Sequence, residues 1–581
     1  MSSSNHYTYS KFEAVQRATP NYWDLAALVF VVALLVLCAI GARPMVGHFE
    51  LGQAIPIDLS PKMLPYYALR TVLRMFIALF FSLLFTFIFG TWAAKSRQAE
   101  RLIVPAVDVL QSVPVLGLLS ITVSGFIVLF KGNILGPECA AIFAIFIAQV
   151  WNMTLSLYQS ILTVPKELRE ASRMFRLNPW QCFWKIEVPF AMPGLLWNTM
   201  MSMSGSWVFL VASEAITVNH QNITLPGIGS YIALAIDRSD AKAVVWVIIA
   251  MLLVIFLYDQ LIFRPLVAWS EKFKMTYVEG EDGAESWVLN MFQKARFFRQ
   301  MTGFSRYFSE FFVNFSILPR GKVAKKNTQK NSRAKVLYAM WWVIVIVATL
   351  LCTVLIARYI TLHIDWQEIE QVAFLGAVTA LRVMILIVLS AIIWVPIGVR
   401  VGLNPKAAAW IQPIVQFLAA FPAILLFPVV VVAILRFHLN PNIWTSPLMV
   451  LGTQWYILFN VIAATTALPE NMRYAVATLN VKGWLWWRRL ILPAIFPYLI
   501  TGAITAAGGA WNMSIIAEAV HWGSTQIYAV GLGAYIDKVS TNGDFPRVIL
   551  GMVMMSLYVL VINRLLWRPL YQLAENKYKL S

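Results

Sequence analysis

Charge is scarce in this 581-residue chain: Asp, Glu, Lys and Arg make up 13% of it, against about 25% in soluble globular proteins. With 59% hydrophobic residues and a mean hydropathy of +0.69, that deficit excludes an ordinary soluble domain. Cysteine is rarer still. Cys38, Cys139, Cys182 and Cys352 include no close pair and no metal-ligand spacing, so neither disulfides nor zinc are expected. The histidines (His6, His48, His220, His363, His438 and His521) show no metal spacing either and read as solvated loop residues. A Gly-x4-Gly-Lys-Ser/Thr phosphate loop is lacking, so the chain is not expected to bind ATP in that way. No nucleophile–base arrangement is evident, and the expectation is a non-enzyme with no metal and no cofactor of its own. Acidic residues are outnumbered, 28 to 46, giving a net charge of +18. Nucleic acid is not the expected partner, because the basic residues sit in short segments between apolar runs.

Those runs are what the sequence has in abundance. A membrane span needs about 20 mostly apolar residues. Such runs fall near 25–42, 70–93, 103–130, 139–161, 192–216 and 243–263, and again near 336–358, 372–399, 410–436, 444–467, 494–520 and 546–566. Backbone polar groups in lipid must be paired internally, so these read as helices. The fold class is therefore all-α: a polytopic membrane protein of about twelve spans. The polar stretch 1–24 reads as a cytoplasmic N-terminus leading into a retained first span, since no small-residue cleavage pattern follows it. With that end inside, the cytoplasmic loops hold Lys95, Arg97 and Arg101; Lys166, Arg169, Arg173, Arg176 and Lys185; and Arg473, Lys482, Arg488 and Arg489. One outer loop, 361–371, is acidic. The opposite orientation would reverse this bias. Domains are expected at 25–266 and 336–570, with a cytoplasmic linker at 267–335 and a cytoplasmic tail at 571–581. Within the linker, Trp287 to Phe315 mixes Phe with Lys and Arg, and reads either as an amphipathic helix on the inner leaflet or as one packed on the protein itself.

The two sets of spans are copies. At an offset of 304, Trp151 meets Trp455, Pro165 meets Pro469, Ala171 meets Ala475, and Pro189 meets Pro493. Gly205, Trp207 and Glu214 then meet Gly509, Trp511 and Glu518, and Gly227, Gly229 and Tyr231 meet Gly531, Gly533 and Tyr535. Upstream the offset is 308, matching Thr71 and Arg74 with Thr379 and Arg382. An even number of spans per half gives both halves the same orientation, able to pack around an axis along the membrane normal with a pathway between them.

The loop after the fourth span of each half is long and basic. It reads Glu170-Ala171-Ser172, three residues, Arg176, nine residues, then Ile186-Glu-Val-Pro189. In the second half the same spacing runs from Tyr474-Ala475 through Asn480 to Leu490-Ile-Leu-Pro493. This resembles the Glu-Ala-Ala loop of ABC importer permeases, with Tyr474 where Glu is expected and with Arg176 and Asn480 where Gly is expected. Gly205-Ser-Trp207 to Glu214 with Leu225-Pro-Gly227-Ile-Gly229, answered by Gly509-Ala-Trp511 to Glu518 with Gly531-Leu-Gly533, is similar to the nitrate/sulfonate/taurine/bicarbonate permease group. The resemblance implies a type I importer permease whose two domains are fused in one chain. It implies coupling helices at the two loops, two copies of a cytoplasmic ABC ATPase holding ATP-Mg, and a periplasmic or lipoprotein solute-binding protein. It also implies a bacterial inner-membrane location and a small anionic solute.

Charge inside a span is costly, about 2.5–3.5 kcal/mol or more at the bilayer centre, so it faces the bundle interior or a partner. Glu214 should sit near the outer end of span five and Arg74 about one turn into span two from the outside, with Glu518 and Arg382 likewise. Three readings stand: two symmetric Arg–Glu pairs, arginines snorkelling separately to the headgroups, or a glutamate that carries protons. Pathway candidates on spans five and eleven are Ser204, Trp207, Ser213 and Glu214, with Trp511, Asn512, Ser514 and Glu518; small neighbours such as Gly205, Gly508 and Gly509 equally suit tight helix packing. An ATP-driven importer permease is the leading reading. An ion-gradient-driven secondary transporter is the alternative, and a membrane scaffold or sensor is a third.

Overall fold

The computed structural model describes residues 21–45, 47, 55–111, 113–218, 221–273, 286–295, 332–466, 468 and 470–578. Most of the N-terminal stretch 1–24, most of the linker 267–335 and the last residues of the tail lie outside them, as do His6, His48 and His220.

The first half begins with α1 (Tyr22–Ala42) and α2 (Leu64–Phe85), which continues to Lys95. Next come α3 (Arg97–Leu110), α4 (Val115–Leu129), α5 (Leu135–Leu162) and the short α6 (Lys166–Met174). A long central helix, α7 (Val188–Glu214), leads to a hairpin of β1 (Ala215–Val218) and β2 (Gln221–Thr224). Then come α8 (Ile228–Asp237) and α9 (Ala241–Tyr258). A linker helix, α10 (Trp287–Lys294), separates the halves.

The second half repeats the order with α11 (Ser332–His363), α12 (Trp366–Gly402), α13 (Pro405–Ala420) and α14 (Phe427–Arg436). Its fourth span is broken into α15 (Ser446–Leu451) and α16 (Gln454–Thr466). Then follow α17 (Glu470–Thr478), α18 (Leu492–Ala517), the hairpin of β3 (Ala519–Trp522) and β4 (Thr525–Tyr528), α19 (Leu532–Thr541) and α20 (Phe545–Ile562). The two hairpins are the departure from an all-helical chain. Even local irregularities recur at the 304 offset: π-helical turns at Phe183–Glu187 and Asp259–Phe263 return at Trp487–Ile491 and Asn563–Trp567.

Among the described residues, eight helices are long and apolar enough to cross a membrane, and ten if each bent pair is one span. The other two expected spans are helical for different reasons. One is split into α3 and α4 around Gln111–Pro114, where proline removes a backbone donor. The other is α7, 27 residues long but carrying Ser202, Ser204, Ser206 and Ser213, because it is wrapped by protein rather than by lipid. The first span of each half, α1 and α11, exposes most of its Leu, Val and Ile side chains and flanks the bundle. At α1 the linker helix packs on the protein: Ala27, Met291 and Ala295 form a buried cluster, and Phe30 meets Phe292 edge-on at 6.0 Å.

The ends of the bundle follow from contacts. Glu138 opens α5 and Glu214 closes α7, and both touch Arg74, so the loop joining α5 to α7 lies at the opposite end. In the second half Asn442 and Glu518 meet around Val530 and Arg382 in the same way. The β3–β4 hairpin reaches the first half, where Gly523 N–H donates to the Ile236 carbonyl at 2.9 Å. Both hairpins therefore share one end of the bundle, and α6 and α17 share the other.

Candidate transport site and coupling loops

Each half carries the same buried anchor at its hairpin end. Arg74 Nη1 lies 2.6 Å from Glu214 Oε1, and Arg382 Nη1 lies 2.5 Å from Glu518 Oε1. Thr71 Oγ1 donates to Glu214 Oε1 (2.7 Å) and accepts from Ile228 N–H (3.0 Å); Thr379 does the same with Glu518 (2.9 Å) and Leu532 N–H (2.9 Å). The other carboxylate oxygen accepts from Gly229 N–H (2.6 Å) or Gly533 N–H (2.7 Å). Each glutamate thus caps the N-terminus of the following helix, where a negative charge is favoured. Glycine is needed at 227 and 531 for space, since a Cβ there would overlap the Glu214 or Glu518 carboxylate. The serines near these anchors are spent locally: Ser213 Oγ donates to Leu210 O and Ser514 Oγ to Trp511 O. Arg74 stands ten residues beyond Leu64, deeper than one turn, because the helix starts earlier than the apolar run suggests.

The first half adds a second pair. Arg74 Nε and Nη2 donate to Glu138 (2.6 and 2.8 Å), and Arg70 Nη2 donates to Glu138 Oε1 at 2.7 Å. All four side chains are at least 97% buried.

At the other end, α6 and α17 lie across the bundle. Arg169 Nη2 donates to Ile161 O (2.9 Å), and its counterpart Arg473 Nη2 to Thr465 O (2.7 Å), tying each short helix to the end of the span before it. Both short helices then close through a left-handed residue. Leu177 N–H reaches Ser172 O (3.0 Å) and Val481 N–H reaches Val476 O (3.2 Å), and Arg176 and Asn480 have φ of 51° and 52°. This is the turn that glycine fills most readily, which explains the Gly of the motif this chain departs from. Glu170, Met174 and Phe175 are exposed, as are Tyr474, Ala475 and Leu479. Pro189 and Pro493 fall in the first turn of α7 and α18, where no intrahelical donor is lost.

Between the halves, at mid-depth, is a cavity of about 270 Å³ walled by α5, α7, α16 and α18. Ser204, Trp511 and Asn512 line it, beside Gly205, Gly508 and Gly509. No Asp, Glu, Lys or Arg does so among the described residues. Ser204 also borders a second cavity of about 380 Å³, nearer the end where α6 and α17 lie.

Two stretches, residues 83–264 and 394–567, match the family described as binding-protein-dependent transport system inner membrane component, and together they take in more than half of the chain. The chain belongs to this family. It is a duplicated permease, a multi-pass inner-membrane transport component and not an enzyme. Among curated relatives it is 27% identical over 176 residues to the bicarbonate transport system permease protein CmpB of Synechococcus elongatus, covering 30% of this chain and 60% of that one. It is 24% identical over 247 residues to the nitrate import permease protein NrtB of Synechocystis, covering 41% and 85% respectively. Against the glycine betaine/proline betaine transport system permease protein ProW of Escherichia coli, identity is 27% over 220 residues, covering 38% of this chain and 52% of that one.

Five of the residues expected along a translocation pathway do not line this cavity. Trp207 is buried against Tyr258, with ring centroids 5.7 Å apart. Ser213, Glu214, Ser514 and Glu518 belong to the anchors at the hairpin end, because one helix face cannot serve both the anchor and the cavity. Sequence reasoning missed Arg70 and Glu138, which have no charged counterparts in the repeat: Val378 and Asn442 stand there. It also missed Thr71, Thr379, Arg169 and Arg473 as anchors, although their recurrence at the repeat offsets marked them. Asn152, Ser202, Thr453 and Tyr456 line the cavity as well and had no motif to reveal them.

Proposed function

We propose that this permease is the membrane subunit of an ATP-driven importer for a small anionic solute. A periplasmic or lipoprotein solute-binding protein delivers the solute at the hairpin end, and two copies of a cytoplasmic ABC ATPase, holding ATP-Mg, act on α6 and α17. One observation carries the reading: two short, exposed helices of matched geometry stand at the same end of the bundle, each tied by an arginine to a span that walls the central cavity. A rigid helix held in this way passes a push from below into the spans. The basic residues around both loops support a cytoplasmic position for that end and for both termini. The anionic solute is supported by the bicarbonate and nitrate relatives, and the anchors read as structural braces of the outer half.

The test replaces the native cysteines and puts single cysteines at Met174 and Leu479. The expected result is crosslinking of both positions to coexpressed ATPase subunits, with uptake into proteoliposomes that requires both ATP and the binding protein. Uptake driven by an ion gradient without ATP would overturn the proposal.

A further inference from the structure

The apolar run 243–263 of the sixth span holds a single acid, Asp259, and Arg264 follows the run directly. A carboxylate within a span is costly unless a partner meets it. Asp259 is poorly met. Arg264 Nε stands 3.8 Å from its Oδ2 and Gln260 Nε2 stands 3.4 Å away, both longer than a charge-assisted bond of about 2.7–2.9 Å. The buried pairs at the hairpin end close to 2.6 and 2.5 Å. Neither Asp259 nor Arg264 has another ion pair among the described residues. At the repeat offset stand Asn563 and Arg568, so the second half carries no acid at this place.

Both groups lie at the rim of the cavity of about 380 Å³. One wall is α9 with the π-helical turn that continues it, the other is α13 of the second half, and α7 forms the floor. Exposure and polarity grade along it together. At the rim Arg264, Pro413 and Trp197 are exposed and Asp259 is half-buried; deeper, Met200, Ile255 and Ala420 are buried. Each wall carries exposed apolar side chains beside the rim, Phe256 on α9 and Trp410 and Ile414 on α13. Exposed apolar side chains of a spanning helix face lipid, so the rim opens on the bilayer. A hydrated ion would find little in a floor of Met, Ile and Ala to replace its water. A hydrocarbon chain loses nothing there.

We propose that this cavity holds a phospholipid of the adjoining leaflet, with an acyl chain between the halves, a primary ammonium on Asp259 and the phosphate on Arg264. The occupant is thus an aminophospholipid such as phosphatidylethanolamine. A trimethylammonium headgroup has no N–H to donate to the carboxylate, whereas a primary ammonium has three. An anionic headgroup without an amine would set its charge against Asp259. Because the walls come from different halves, the lipid forms part of their interface. The inference goes beyond import and holds whichever solute is carried.

The experiment is native mass spectrometry of the full chain released from nanodiscs of phosphatidylethanolamine, phosphatidylcholine and phosphatidylglycerol in equal parts with identical acyl chains. The wild type is expected to retain phosphatidylethanolamine, enriched about tenfold over either other lipid, the worth of a hydrogen bond to a charged group. D259N installs the repeat's own residue, and is expected to keep a lipid but lose the preference for ethanolamine over choline. A420W, which fills the floor, is expected to lose the lipid altogether. No retained lipid, equal retention of the three, a preference for phosphatidylglycerol, or an ethanolamine preference that survives D259N would each overturn the site. If A420W does not fold, the wild type and D259N decide.

Discussion

The two halves share a backbone plan but brace it differently. At the hairpin end the first half buries Arg70, Arg74, Glu138 and Glu214 in one network. The second half keeps only Arg382 and Glu518, with Val378 and neutral Asn442 in place of the added pair, and Asn442 Oδ1 accepts from Val530 N–H at 2.8 Å. Its extra ion pair lies at the rim, where Arg547 Nε meets Glu368 Oε1 at 2.7 Å with both side chains partly exposed. A buried network that has lost one partner leaves charge in a medium that cannot solvate it, whereas a rim pair trades its partner for water. The first half is thus the more heavily ion-paired at its hairpin end, and the second carries the broken span.

The largest expected effect separates the frames. E138A leaves two buried arginines short of a partner and should cost about 3–5 kcal/mol, read as a lower thermal midpoint in detergent. N442A, at the matching place, should cost about 1 kcal/mol. Transplanting the second half's solution as R70V/E138N should recover most of the loss, because charge and partner leave together. If E138A and N442A are equivalent, the contrast is false.

Next come changes that should treat the halves alike. G227A and G531A both push a Cβ into an anchoring carboxylate, and each should cost about 1–3 kcal/mol by overpacking. A large difference between them would show that one anchor yields more easily than the distances suggest.

A smaller effect belongs to the coupling loops. Arg176 and Asn480 occupy the same left-handed turn, but asparagine tolerates that region better than arginine. R176G should therefore stabilise by about 1 kcal/mol and N480G by less, measured as the difference in thermal midpoint between the two variants. The first loop also has a capping box, in which Asn178 and Gln181 exchange hydrogen bonds; Lys482 stands at the matching place without a side-chain cap. The second loop is the less constrained of the two.

Much of this was legible in the sequence for a physical reason: duplication prints each constraint twice. Glycines crowded by a carboxylate, the arginines that pair with it and the spacing of the loops recur at fixed offsets, and recurrence separates them from chance. What escaped is what the halves do not share. Arg70 and Glu138 pair across two helices with no repeat to flag them, and the break at Gly452-Thr453 lies inside an apolar run that reads as one span. Trp207 and Trp511 look alike in sequence yet differ in place. Trp511 borders the cavity and stacks on Tyr558, whereas Trp207 packs edge-on against Tyr258 and does not border it; tyrosines at different places in the two halves receive them.

The smallest expected effect is a pH dependence confined to the second half. Asp537 is half-buried on α19, where the first half has Ala233. Burial pushes its carboxyl up to about 6, against the opposing pull of nearby His521. The folded state therefore holds this proton more tightly than the unfolded chain does, so Asp537 costs nothing below about pH 4. It becomes destabilising as pH rises towards 6, and the penalty is complete above that. D537A, which copies the first half, should raise the thermal midpoint at pH 7.5 and leave it unchanged at pH 4. A midpoint raised equally at both values would mean that the substitution acts through packing, and that the halves do not differ in the charge they bury at this rim.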